Sequence, residues 1–228
     1  MASPPDEQMR GLAAVAVPLL GLTATLVLVT GAAEAWRYAL LLDSRFDALP
    51  AAPLHASDAL VVTGGVISLL SSVLAGAVTL GWLIHASTVA AQAAAVTRTR
   101  PSWQLVAGVL VPGINLVLPG AMLAELEHAA LGRDPTHRPR PSTLVLGWWV
   151  VWSLGVLLTA TTLLWNLRGG VQARADGVLL HVATDLVAAA VAVATIVVVR
   201  RLTRLLSPAQ LGGARRLVVV RIPGVSKG

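Results

Sequence analysis

Trp103-Gln-Leu-Val-Ala-Gly-Val-Leu-Val-Pro112-Gly113-Ile-Asn115-Leu-Val-Leu-Pro119-Gly120 lies within an uncharged run, 101–124, that has the length of a membrane span but carries two Pro-Gly pairs. Proline lacks an N–H and clashes with the preceding turn, so each pair should free backbone carbonyls from helical bonding. Lipid offers no partner to such groups, and broken backbone at that depth has to be sheltered by protein or water. The stretch therefore predicts an all-α integral membrane bundle with one irregular element, a broken segment over 101–124.

Composition agrees. Of 228 residues, 56% are hydrophobic and 12% charged, outside the usual range of soluble domains, and the apolar residues come in long blocks. With no cysteine, disulfides, thiol nucleophiles and Cys-based metal sites are excluded. The net charge of +6 is almost wholly arginine, since Lys227 is the only lysine. Arginine far above lysine, with abundant Ala, Val, Gly and Leu, suggests a GC-rich bacterial genome.

Four continuous spans are expected, at about 11–33, 59–84, 144–165 and 177–199. The first follows Arg10, and Ala33-Glu34-Ala35 could pass for a signal-peptidase site. At 23 residues it would reach roughly 35 Å, which favours a retained anchor. The second continues as an Ala-rich helix from His85 to Thr97, longer than any bilayer, and should project into water before Arg98, Arg100 and Pro101. The loop Gly132 to Pro141 is too proline-rich to hold helix. Trp148, Trp149 and Trp152 near one end of the third span, and Trp165 at the other, mark two interfaces. The organisation is thus a cytoplasmic N-terminal segment (1–10), a helical membrane domain (11–206) and a basic cytoplasmic tail (207–228).

Arginine placement sets the topology. If the broken segment re-enters or lies at the interface, then Arg10, Arg98, Arg100, Arg133, Arg138, Arg140 and the C-terminal arginines are cytoplasmic. Arg37, Arg45, Arg168 and Arg174 are then outside. The alternative is five spans with the N-terminus outside. Both arrangements place the C-terminus inside, and the Pro-Gly pairs favour four spans plus a re-entrant segment in a multi-pass protein of the inner (cytoplasmic) membrane.

Arg100-Pro-Ser-Trp103, Pro112-x-x-Asn115-x-x-x-Pro119 and Leu146-Gly-Trp-Trp149 together resemble a bacterial membrane family common in actinobacteria, domain of unknown function 4328. The resemblance runs roughly from Leu60 to Leu206, with the broken segment at its centre. It implies the architecture and carries no activity or catalytic residue.

Candidate sites are few. His181 and Asp185 are spaced i,i+4 and share a helix face. Asp185 lies about 12 Å past Gly177, where inserting an aspartate costs about 2.5–3.5 kcal/mol. Two uses follow: a proton or cation relay, or a packing bond to His181 and to a hydroxyl of a neighbouring span. Asn115, between the breaks, is suited to capping freed backbone groups or to contacting a ligand. Pro112, Gly113, Pro119 and Gly120 are the expected helix breaks. Gly64, Ser68, Ser72 and Gly76 form a small-residue strip on which another helix can pack, from this chain or a second copy. Glu125 and His128 are half of a bundle metal motif whose other half is missing, so no metal and no cofactor are expected. Glu34 and Arg37 read as an interfacial ion pair.

The tail arginines Arg215, Arg216 and Arg221, with Arg200, Arg201 and Arg204, suit anionic lipids of the inner leaflet; nucleic acid is not an expected partner. No Gly-x-Ser-x-Gly, Walker-type or His-Glu-x-x-His motif is present, so the chain is not expected to be an enzyme. The favoured role is a structural or assembly component of the cell envelope, as a homo-oligomer or with a membrane-protein partner. The alternative is a small oligomeric transporter or channel subunit that uses the broken segment and the His181/Asp185 pair.

Overall fold

The computed structural model describes residues 4–43, 51–94, 100–134, 136–168 and 171–207. Within them lie α1 (Pro5–Asp43), α2 (Ala51–Ala93), α3 (Ser102–Leu110), a 3-10 turn (Ile114–Leu116), α4 (Leu118–Ala130), α5 (Thr143–Trp165) and α6 (Val171–Leu205). No strand occurs among the described residues. Four helices, α1, α2, α5 and α6, are long and apolar enough to cross a membrane, so the protein is a helical membrane protein. Each overshoots or matches its expected span. At 43 residues, α2 measures about 64 Å against a hydrocarbon core of about 30 Å. The basic tail beyond Ser207, with Arg215, Arg216 and Arg221, lies outside the described residues.

Local chemistry sets the helix ends. Asp6 and Glu7 occupy the first turn of α1, where the helix dipole favours acids, and Asp6 pairs with Arg10 at 2.9 Å. The Ser142 side chain accepts the Val145 N–H at the start of α5. Gly132, at φ 63°, ends α4 in the left-handed conformation that glycine adopts without strain. Its N–H bonds to the Ala129 carbonyl while that of Arg133 reaches His128.

The long helices run antiparallel. α1 packs along α2 on one side and α6 on the other, and α5 packs on α6. Small and hydroxylated residues make the α1–α2 seam. Thr23 meets Ser71 at 2.7 Å and Thr30 meets Ser68 at 3.1 Å, while Gly64 lies so close to Thr30 that a Cβ there would stand 2.7 Å from its hydroxyl. The predicted strip thus packs within the chain, but only its first half takes part. Ser72 is exposed and bonds back to the Ser68 carbonyl, and a Cβ on Gly76 would meet nothing within 4 Å. Four-residue steps advance about 400° at 3.6 residues per turn, so the strip drifts off the seam, and Ser71 and Ala75, 1% exposed, take over. On the lipid side of α2, Leu69, Leu70 and Val73 are exposed, as a membrane helix requires.

The main core lies at one end of the bundle. There Met9 and Ala13 of α1, Trp82 and Ala86 of α2, Val145 and Trp148 of α5, and Val199 and Leu202 of α6 close on Leu105 of α3 and on Met122 and Leu126 of α4. Because the helices alternate in direction, this end gathers Arg10, Arg100, Arg133, Arg138, Arg140, Arg200, Arg201 and Arg204.

Candidate functional site

Between α2 and α5 the chain reverses direction. A continuous helix would put Arg100 and Glu125 about 38 Å apart; instead they form a two-pronged ion pair, Nε to Oε2 at 2.9 Å and Nη2 to Oε1 at 2.7 Å. The carboxylate holds Arg100 above its usual pKa. Segment 101–130 is therefore a helical hairpin, α3 down and α4 back. Gly108 and Gly120 let its helices and α5 approach closely. A Cβ on Gly108 would run into the Met122 methyl, and one on Gly120 would stand 2.7 Å from Trp149 Cγ.

The hairpin contains one break, not two. Pro112 and Gly113 end α3, with Gly113 at φ 83° and the 3-10 turn following. Pro119 and Gly120 instead lie in the first turn of α4, where a missing N–H costs nothing because that donor has no helical acceptor. Asn115 does not cap the freed carbonyls. That work falls to indoles of α5: Trp149 Nε1 donates to the Leu116 carbonyl at 2.5 Å and Trp152 Nε1 to the Asn115 carbonyl at 2.8 Å. Ser153 adds a long 3.5 Å bond to Leu116. The Asn115 side-chain oxygen is buried with no hydrogen-bond partner. Trp152 also stacks on Trp148, centroids 5.4 Å apart, and Trp148 donates to Thr195 of α6 at 2.9 Å. Two of the tryptophans expected as interface markers, Trp149 and Trp152, thus hold the broken backbone, a role whose only trace in the sequence is their i, i+3 spacing opposite a break.

At the base of the hairpin the acids of α4 are tied to neighbouring elements, and His128 and Asp134 to the loop that follows. Glu127, its side chain 3% exposed, faces Arg201 of α6 at 2.8 Å and accepts the Ser142 N–H at 3.1 Å. The Arg201 contact is off the hydrogen-bonding direction, since Oε1 has no directional partner, and acts through charge. His128 Nε2 lies 3.0 Å from the Asp134 carbonyl; a carbonyl only accepts, so this nitrogen carries the proton. Its Nδ1 is buried without a partner. Asp134, on the exposed loop, accepts the N–H and hydroxyl of Thr136, and these bonds hold its carboxyl below the ordinary range. Among the described residues no group of three metal-ligating side chains converges.

The other half of the bundle places Asp185 against α1. A Cβ on Gly31 would stand 3.2 Å from Asp185 Cβ, and Glu34, one turn along α1 and 8% exposed, is near enough for the two carboxylates to interact. Asp185 and His181 make no hydrogen bond to each other among the described residues, and Asn115, held against α5, does not join them. Arg37 pairs with Asp58 of α2 at 3.2 Å rather than with Glu34. Helix spacing allowed the i,i+3 pair, but the Arg37 side chain reaches across the seam and leaves Glu34 facing α6. Arg168 caps this end over the Trp165 ring at 4.3 Å.

The family model described as Domain of unknown function (DUF4328) matches residues 45–204. The chain belongs to this family. The DUF4328 region takes in α2, the hairpin, α5 and nearly all of α6, and leaves out α1, the helix on which α2 and α6 both pack. No curated protein and no solved structure matches the chain.

Proposed function

We propose that the protein is a structural or assembly component of the bacterial cytoplasmic membrane, with four spans and a hairpin that re-enters from the cytoplasmic side. One observation carries the reading. Glu125, Glu127 and His128, the groups from which a catalytic or metal site would be built, are bound to Arg100, Arg201 and the Asp134 carbonyl. They hold the hairpin in place, while its outer surface, at Trp103, Leu110 and Val117, is apolar and exposed. The gathering of arginines at the hairpin base favours that end as cytoplasmic by the positive-inside rule, and the reversal between Arg100 and Glu125 favours re-entry over a fifth span.

The natural lack of cysteine makes the test direct. Single cysteines at Ser102 and Thr136 should label from the same, cytoplasmic side; labelling from opposite sides would refute re-entry. Cross-linking in membranes from Leu110→Cys should capture a second protein or a second copy, and a chain that cross-links to neither loses its assembly role.

The alternative, a subunit of an oligomeric transporter or channel, is favoured by the facing carboxylates Glu34 and Asp185, which lack a basic partner among the described residues. Uncompensated acids inside a bundle are characteristic of ion pathways. Reconstituted protein should then show proton or cation flux that falls in Asp185→Asn; equal flux in the two proteins refutes it.

A further inference from the structure

A cavity of about 430 Å³ lies between α4 and α5 beneath the loop that joins them, and we propose that it is a binding site for an anionic phospholipid of the cytoplasmic leaflet. The inference rests on the re-entrant placement of the hairpin. The cavity has a polar mouth and an apolar shaft. Arg138, Pro139 and Pro141 of the loop form the mouth with Glu125, and the shaft descends past Ala124, Ala121 and Gly120 to Val117. From Glu125 to Val117 the α4 axis drops about 12 Å, the direction an acyl chain takes from a headgroup.

The shaft exists because α4 shows only small side chains on this face, Gly120, Ala121 and Ala124, to the indole of Trp149 on α5. It is open sideways, since Val117 and Leu146, which line it, are 62% and 45% exposed. A chain could enter from the lipid without passing through water. Its volume falls in the range of small-molecule sites.

Charge selects the headgroup. Glu125 contributes no net charge at the mouth because Arg100 neutralises it through two bonds. Arg138 lines the cavity, is exposed and makes no ion pair among the described residues, and Arg140 is exposed two residues on. A guanidinium without a partner above an apolar shaft matches a phosphodiester above an acyl chain, and a guanidinium binds phosphate through paired donors.

The test uses the full chain in nanodiscs of phosphatidylcholine with phosphatidylglycerol, followed by native mass spectrometry. Wild type should retain phosphatidylglycerol in preference to phosphatidylcholine. Arg138→Gln should lose about fivefold of that preference, the effect of one arginine at an anionic surface. Ala121→Phe, which fills the shaft, should lose both lipids, with tryptophan fluorescence confirming that it folds. A variant with Arg215, Arg216 and Arg221 all changed to Gln should keep the preference. Retention unchanged in both Arg138→Gln and Ala121→Phe overturns the site, as does a preference that disappears only in the tail variant. Displacement of the lipid by inorganic phosphate also overturns it, by marking a free-anion site. The cysteine labels at Ser102 and Thr136 separate the two levels: same-side labelling without lipid retention refutes the lipid site alone, and opposite-side labelling refutes the placement beneath it.

Discussion

Replacing Arg201 should harm the protein more than replacing the acid it faces. Glu127 has a 3% exposed side chain, while that of Arg201 is 39% exposed. In Arg201→Gln a carboxylate is left in a dry site with only the Ser142 N–H as partner. Breaking a buried pair from one side costs about 3–5 kcal/mol, and the lower end applies because one partner is half in water. In Glu127→Gln the amide oxygen still accepts from Ser142 and the freed guanidinium turns to solvent, so the loss should be about 1 kcal/mol. Glu127→Ala also orphans the Ser142 N–H and should cost about 2–3 kcal/mol. The decisive variant is Glu127→Gln with Arg201→Gln, which removes both charges and should be more stable than Arg201→Gln alone. Unfolding of the detergent-solubilised protein in sodium dodecyl sulfate, followed by fluorescence of Trp82 and Trp148 in the same core, gives the four values. If the double variant instead shows the sum of the single losses, charge burial at Glu127 is not what Arg201 relieves.

Gly64→Ala should destabilise the α1–α2 seam by about 1–3 kcal/mol, since its methyl meets the Thr30 hydroxyl. Gly76→Ala should be neutral or slightly stabilising; equal effects in the same unfolding assay would mean that both residues face α1. Gly120→Ala should displace the Trp149 ring and cost about 1–3 kcal/mol, and Trp149→Phe should cost about 1 kcal/mol by leaving the Leu116 carbonyl only the long bond from Ser153. A shift in tryptophan emission in Gly120→Ala, and none in Gly76→Ala, checks the geometry. The bonds from Thr136 lower the folded-state pKa of Asp134, so their contribution is present above its unfolded pKa and lost as pH falls through the depressed folded value. Thr136→Ala removes the hydroxyl but keeps the backbone N–H, the larger of the two causes, so it should move that titration only part of the way back up, as followed by carboxyl NMR; an unmoved titration would exclude the hydroxyl as a cause.

The four long helices were legible because hydrophobic blocks of span length have few other structural solutions. The break was legible too, because proline and glycine act locally, but its extent was not. Pro112-Gly113 and Pro119-Gly120 look alike as dipeptides. They differ only in what precedes them: a finished helix before the first, and a 3-10 turn that makes the second the start of a new helix. Contacts between distant segments left still less trace. Nothing local says that Arg100 reaches Glu125, that Glu127 rather than Glu125 meets Arg201, or that Trp149 and Trp152 supply the donors expected from Asn115. Asp185 stood out because one charge in an apolar block is conspicuous. Glu34 did not, because Arg37 lay at a spacing that offered a sufficient partner.

The choice of residue at each level of the hairpin follows from depth. At its base the fastenings are ionic: Arg100 with Glu125, and Arg201 with Glu127. Measured along α5, Trp149 and Trp152 lie about 10 and 15 Å beyond Ser142, and there the fastenings are neutral indole N–H groups. In the proposed placement this order is the economical one. Both guanidiniums at the base reach water, with Arg100 and Arg201 25% and 39% exposed, whereas a guanidinium at the tip would have to be inserted into hydrocarbon at about 2.5–3.5 kcal/mol. An indole supplies one donor without charge and covers the rest of the break with apolar ring. The same logic explains why Asn115 is not the cap. Its amide could satisfy one carbonyl but would bring two further polar sites to be satisfied in turn, and its side-chain oxygen already lacks a partner. Two tryptophans from a separate, continuous helix also fix the tip against α5, so the hairpin is positioned by the bundle rather than by its own short helices, which at 9 and 13 residues are too short to hold their shape alone.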